Sequence, residues 1–386
     1  MQPPANWTYP TAIRFGAGRI DELADACTVA GIARPLFVTD PGLVRLPITA
    51  RALGVLAAAG IEAAVFSEVS PNPTEANVAA GIAAMRDGGH DGVVAFGGGS
   101  ALDCGKVVAF MKGQTRPMWD FEDVGDWWTR ADPAGIAPVI AVPTTAGTGS
   151  EVGRAGVITN LATHTKKVIF HPRMLPAVVI MDPALTVPLP PALTAGTGMD
   201  ALAHCIEAYA APAYHPIAEG IAVEGIRLVQ HNLLRAYRDG SDLEARGNML
   251  VAAAAGATAF QKGLGAIHAL SHPVGALYDT HHGLTNAVFM PYVLDFNREA
   301  LWDKFDRLAG WLGIEGGFSG VLDFVLRLRR DLGIPHTLDR IGVDDSRFAE
   351  MAEMAVVDPT AGGNPRPLTS ADALDLYQRA MDGRLG

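Results

Sequence analysis

The sequence predicts two domains of different class: an α/β domain built on an open parallel sheet over residues 1–190, and an all-α domain over residues 191–386. Three observations carry this. The chain has 386 residues, too many for one ordinary core and enough for two. In the first half, short apolar runs rich in β-branched and aromatic residues alternate with helical segments, as in a sheet covered by helices. After Pro188, Pro190 and Pro191 the segments become longer and rich in Ala and Leu, the pattern of helices.

Strands are expected at 36–40, 63–66, 92–96 and 139–142, where the runs are short and followed by turn-forming residues. Apolar residues at helical spacing mark 47–59, 74–87 and 100–111 between them. In the second half, 192–211, 217–238, 242–261, 284–298, 318–332 and 369–383 are the expected helices. The Ala-rich run 251–259 reads as a place where helices pack closely.

Hydrophobic residues make up 49% of the chain and charged residues 18%, so it is globular and not disordered. A net charge of −11, without a basic cluster, argues against a nucleic-acid partner, which would demand grouped Lys and Arg. Cys27, Cys104 and Cys205 lack CxxC spacing, which suits a reducing compartment and argues against a disulfide framework. Neither a signal-peptide pattern nor a membrane-spanning apolar run is evident. The expected location is the cytoplasm, with no membrane partner.

The run 92–96 leads into Gly97-Gly98-Gly99-Ser100 and then a helix. Glycines let a backbone approach an anion, and a helix N-terminus offers N–H groups with a partial positive charge, so a diphosphate would fit. The bland alternative is a helix start with Ser100 as N-cap answered by Asp103. A second loop, 143–151, contains Thr144, Thr145, Thr148 and Ser150, whose hydroxyls suit ribose and phosphate oxygens. Gly16-Ala17-Gly18 lacks the third glycine of a dinucleotide fingerprint and reads as a turn. Asp40 closes the run 36–40, where a carboxylate can hold an adenosine ribose and repel a 2′-phosphate, favouring NAD over NADP. It could equally belong to an ordinary Asp40-Pro41-Gly42 turn.

Asp200 and His204 are four apart in a helical segment, as are His268 and His272, and His281-His282 follow closely. Residues four apart share a helix face. Any one buried histidine is more often a satisfied core residue than a ligand. A carboxylate grouped with several imidazoles, however, suits Fe2+, Zn2+, Ni2+ or Co2+, and an incomplete shell leaves room for a substrate oxygen.

These motifs, together with Phe15 to Gly18 and Pro71-Asn72-Pro73-Thr74, resemble the iron-containing (group III) alcohol dehydrogenases over nearly the whole chain. The resemblance implies a Rossmann-like N-terminal domain and a helical C-terminal one, the dehydroquinate synthase-like architecture. It implies Asp200, His204, His268 and His282 as ligands of Fe2+, or of Zn2+ or another divalent ion, and His272 as a neighbour that contacts cofactor or relays a proton; it gives His281 no role. For NAD it implies Asp40, Asn72, Gly98, Gly99, Ser100, Asp103, Thr144, Thr145, Thr148 and Ser150, with Lys167 and Leu185 as further contacts.

The implied activity is hydride transfer between a small alcohol or aldehyde and the nicotinamide, the metal lowering the pKa of the alcohol oxygen. A homodimer or larger homo-oligomer is implied as well. Two departures stand out. Gly153-Arg154 replaces the usual Thr after Gly-Ser-Glu-Val, and Gln261-Lys262-Gly263 precedes the His268 segment. Arg154 and Lys262 would suit an anionic hydroxy acid or its semialdehyde, unless both are solvated surface charges. A lyase of the dehydroquinate synthase-like type, which also uses NAD and a metal, is the competing expectation; net NADH accumulation separates the two.

Overall fold

A computed structural model of the chain describes Tyr9, residues 11–163 and residues 165–386. It divides into two compact units, Tyr9–Leu189 and Pro190–Gly386. The first contains β1 (Ala12–Phe15), α1 (Leu23–Ala30), β2 (Pro35–Val38), α2 (Pro47–Ala58), β3 (Ala64–Phe66), α3 (Glu75–Asp87), β4 (Gly92–Gly97), α4 (Gly99–Met111), β5 (Val139–Pro143), β6 (Ala155–Asn160), β7 (Thr165–Phe170) and β8 (Val178–Met181).

Six strands form one parallel sheet in the order β1-β8-β5-β4-β2-β3. Strands β2, β4, β5 and β8 are buried along their whole length, as strands covered on both faces must be. Alternation divides their side chains. Phe37, Val94, Phe96, Ile140, Val142 and Ile180 pack with Leu23, Cys27, Ala52 and Leu56 of α1 and α2. On the other face α4 comes close because of Gly105, where a Cβ would lie only 2.8 Å from that of Ala95.

The sheet reverses its direction of growth between β2 and β4: β2 leads outward to β3, whereas β4, β5 and β8 run the other way. Open α/β sheets bind ligands outside the strand C-termini at such a reversal. There Gly97 ends β4 opposite Pro143, the end of β5, so the two loops singled out in the sequence leave neighbouring strands side by side. Strands β1 and β8 and the antiparallel hairpin β6–β7 were not expected from the sequence. Each is short, and β6 alternates half-buried with buried positions in a segment without a strong turn signal.

The second unit contains α5 (Pro191–Ala210), α6 (Pro216–Arg238), α7 (Leu243–Ala259), α8 (Ala266–Tyr278), α9 (His282–Phe296), α10 (Arg298–Leu312), α11 (Gly317–Asp331), α12 (Phe348–Val357) and α13 (Ser370–Asp382), with no strand among the described residues. Small residues set its tight crossings. A Cβ on Gly198 would lie 2.2 Å from Leu233 of α6, and one on Gly256 of α7 would lie 2.8 Å from the Cβ of His204. The Ala-rich stretch is thus a packing surface. The expected helix 284–298 stops at Phe296, and a new helix begins at Arg298; α10 and α12 were not read from the sequence. No single helix among the described residues is long and apolar enough to cross a membrane, although Leu243–Lys262 and Ala266–Tyr278 pass by composition as a pair bent by 108°.

Candidate active site

In the α/β unit, helix α4 begins at Gly99 with Gly98 as its N-cap and no side chain capping it. This corrects the alternative in which Ser100 caps and Asp103 answers. The Ser100 hydroxyl instead donates to the Pro71 carbonyl, tying the loop that carries Asn72 to the glycine loop. Asp103 accepts from the Ser150 hydroxyl and from the Val157 N–H at 3.0 Å. The two loops touch directly. A Cβ on Gly98 would stand 3.2 Å from Thr145 Cγ2, and one on Gly99 would stand 2.5 Å from Thr148 Cγ2. Gly97 has φ +152°, a conformation that side chains resist.

The result is a helix N-terminus without a side-chain cap, bordered by threonines, which fits the diphosphate and ribose of a dinucleotide. Thr144 donates its N–H to the Gly97 carbonyl at 3.0 Å. Asp40 Oδ1 accepts from the N–H groups of Gly42 and Leu43 at 2.8 and 2.9 Å, so that oxygen builds the turn. The Lys167 amine pairs with Glu122 at 2.6 Å. Leu185 is a core side chain at 2% exposure. Below the second loop, Lys106 donates to the carbonyls of Ser150 and Ala155.

In the helical unit, α5 presents Asp200 and His204, α8 presents His268 and α9 presents His282. Helix α9 reaches α5 because Gly283 faces Gly196: a Cβ on Gly283 would lie 2.2 Å from the Gly196 carbonyl oxygen and 3.0 Å from Asp200 Cβ. Ligand atoms of Asp200, His204 and His268, all buried, lie within 4.8 Å of one another. The Nε2 atoms of His282, His268 and His204 stand 3.6, 3.9 and 4.0 Å from Asp200 Oδ1. Two donors held at ~2.1 Å by one ion can be no more than ~4.2 Å apart.

The Asn286 side-chain nitrogen lies 2.8 Å from Asp200 Oδ1, 3.2 Å from His268 Nε2 and 3.1 Å from His282 Nε2. An amide has two N–H groups for these three acceptors. One carboxylate and three imidazoles converging here form a donor set that fits Fe2+ or Zn2+. Burial alone would lower the His268 pKa, but Glu207, by charge and hydrogen bond, with help from Asp200 and Asp358, raises it overall.

His272 stands beside this cluster. Its ring stacks on His282 at 5.4 Å, and its Nδ1 meets Asp358 Oδ2 at 2.8 Å. With Nδ1–H directed at that carboxylate, Nε2 keeps its lone pair. His281, without an assigned role in the sequence, is the N-cap of α9 and accepts the Leu284 N–H on Nδ1 at 3.2 Å.

Lys262 requires a correction. Its ammonium, wholly buried, donates to the carbonyls of Ala208, Tyr209 and Ala211 and pairs with Glu219 at 3.0 Å. Burial, then Lys304, push it down to about 8 despite Glu219. It caps the end of α5 and has no donor left for a substrate anion. Arg154 differs: its guanidinium lies over the Phe170 ring at 5.4 Å. Glu207, Asp358 and Asn286 were missed in the sequence. Glu207 was one helical turn beyond His204, the signal that would have found it.

Two family models match the chain: iron-containing alcohol dehydrogenase over residues 10–183, and the C-terminal domain of the Fe-containing alcohol dehydrogenase family over residues 194–381. A 4-hydroxybutyrate dehydrogenase of Cupriavidus necator is 40% identical over 97% of this chain and 99% of its own. A crystallised 1,3-propanediol oxidoreductase superposes with a TM-score of 0.93 at 37% identity, covering 98% of this chain and 100% of that one. A sulfoacetaldehyde reductase from Bifidobacterium kashiwanohense, solved with NAD+, gives 0.88 at 29% identity, covering 98% and 99%.

Proposed function

Because this chain belongs to the iron-containing alcohol dehydrogenase family, we propose that Asp200, His204, His268 and His282 hold its metal and that it turns over a short hydroxy acid and the matching semialdehyde. The chain is an iron-containing, NAD-linked oxidoreductase acting on the CH–OH groups of small alcohols or on the corresponding aldehydes. The observation that carries the ligand assignment is the approach of three imidazole nitrogens to one Asp200 oxygen at 3.6–4.0 Å.

The metal, when bound, acts as a Lewis acid toward the substrate oxygen. The residues around it do the remainder. His272 offers the Nε2 lone pair to the alcohol proton, held in that tautomer by Asp358; its side chain is 21% exposed, enough to exchange the proton with water. In the α/β unit, Gly98, Gly99 and the N–H groups of the first turn of α4 hold the diphosphate, with Ser100, Thr144, Thr145, Thr148 and Asn72 beside it. Asp40 holds the ribose and favours NAD over NADP. Asp103 and Ser150 bind each other and hold the loops in place.

The hydroxy-acid reading rests on the likeness to the 4-hydroxybutyrate dehydrogenase and on Arg154, whose guanidinium lies over Phe170 and within electrostatic reach of Asp123 and is the candidate partner for a substrate carboxylate. Three buried, unpaired thiols suit a cytoplasmic protein, and a homo-oligomer belongs to the same reading.

The test is an anaerobic assay of Fe2+-loaded wild type, H268A, H272A and R154Q with NAD+ against 4-hydroxybutyrate and 1,3-propanediol. His268→Ala loses metal and activity together, whereas His272→Ala keeps metal and loses ~100-fold or more in kcat. Arg154→Gln raises KM for the hydroxy acid alone. Equal metal loss in both histidine variants sinks the division of roles; equal kcat/KM for both substrates in wild type sinks the substrate class.

A further inference from the structure

Helix α5 carries more of the centre than its two ligands. Glu207 lies three residues beyond His204 and seven beyond Asp200, on the same face, and its side chain is 5% exposed. Each of its carboxylate oxygens has a separate partner. Oε1 accepts the Ile267 backbone N–H at 2.6 Å, and Oε2 meets His268 Nδ1 at 2.5 Å.

Ile267 belongs to the first turn of α8, whose N-cap, Gly265, supplies no side chain. A carboxylate arriving from another helix satisfies one of the N–H groups that such a start leaves open and suits its partial positive charge. Gly265 admits it, since a Cβ there would lie 3.1 Å from Glu207 Oε1 and 3.0 Å from Asn364 Oδ1. Asn364 Oδ1 takes the neighbouring Ala266 N–H at 3.2 Å without contacting the His268 ring.

We propose that Glu207 is a positioning residue that locks His268 in the tautomer and ring orientation of a metal ligand through Nε2; this rests on the assignment of His268 as a ligand. The main-chain bond fixes the plane of the carboxylate, so the ring of the following residue must align with it. A proton on Nε2 in place of Nδ1 would set two acceptors against each other at 2.5 Å, a buried conflict that selects the Nδ1–H form. One helix face therefore supplies two ligands and fixes the direction of a third.

The test uses full-length wild type, E207Q, N364A and H268A, with Co2+ as the probe. Metal dissociation constants come from chelator competition, and the d–d absorption reports ligand geometry. The amide of Glu207→Gln cannot accept from both donors. The expected result is a ~10–100-fold weaker Co2+ affinity with an altered d–d spectrum, while Asn364→Ala, which removes a cap of the same helix together with the bonds of Asn364 to Asn297 and to the Arg366 carbonyl, leaves both near wild type.

Wild-type affinity and spectrum in E207Q, or equal changes in N364A, overturn the proposal. If H268A binds Co2+ like wild type, the ligand assignment itself falls, and the proposal with it. Independently of how E207Q folds, 15N NMR of histidine-labelled, Zn2+-loaded wild type reads the tautomer directly. Protonated Nδ1 with metal on Nε2 supports the proposal, and the reverse overturns it.

Discussion

Glu151 sits under the hydroxyl-rich loop at 1% exposure, with Oε1 lacking a hydrogen-bond partner. Burial pushes its carboxyl from 4.5 to about 7, against smaller opposing effects of its own N–H and of Lys106. Between those values the folded chain holds a proton that the unfolded chain has released, so stability falls as pH rises through the window, by up to ~3 kcal/mol. Glu151→Gln should flatten that slope. Denaturant titrations at several pH values between about 4.5 and 7 check it; an unchanged slope would place the titration elsewhere. His272 and His281 show the limit of spacing at this scale. Both neighbour ligands in sequence, yet one orients on Asp358 and the other caps a helix, and only partners distant in sequence reveal which.

Helix ends decide what Lys262 does. A buried ammonium over three carbonyls of the α5 terminus offsets the partial negative charge there. Lys262→Met should lower stability by about 2 kcal/mol or more without changing KM for anionic relative to neutral substrates; a selective loss of anionic turnover would restore the substrate role. As to the elements, most of the long helices and the strands β2, β3, β4 and β5 were legible, because helical periodicity or a short apolar run closed by turn-forming residues marked each. The strands β1, β6 and β7 were not, since exposed or half-buried positions interrupt their apolar pattern; nor were the fully buried β8 and the helices α10 and α12. Spacing paired Asp200 with His204 and His268 with His272, and only the family resemblance put His282 in the proposed ligand set in place of His272; Asn286 and Asp358 enter from α9 and the segment after α12, which no local spacing connects to α8.

At the scale of the whole molecule, each unit has its own core and its own candidate ligand chemistry: a proposed nucleotide site at the C-terminal ends of β4 and β5 in Tyr9–Leu189, and a proposed metal centre in Pro190–Gly386. A ligand that binds the folded form alone stabilises what it binds, by ~2.7 kcal/mol at a hundredfold excess over Kd. Hydrogen exchange should therefore show Zn2+ slowing amide exchange chiefly in α5, α8 and α9, and NAD+ slowing it chiefly around 97–103 and 143–151. Uniform slowing of both regions by either ligand would refute this separation. The segment from Asp200 to Glu207 also bears on how the chain can change over generations. Because each added or deleted residue turns a helix by ~100°, a single insertion within that interval would swing Glu207 or His204 out of register with everything it faces, whatever residue is inserted. Length change should thus be tolerated in the connection after Ala210 and barred within those two turns, so that the interval acts as a ruler that selection can recolour but not stretch.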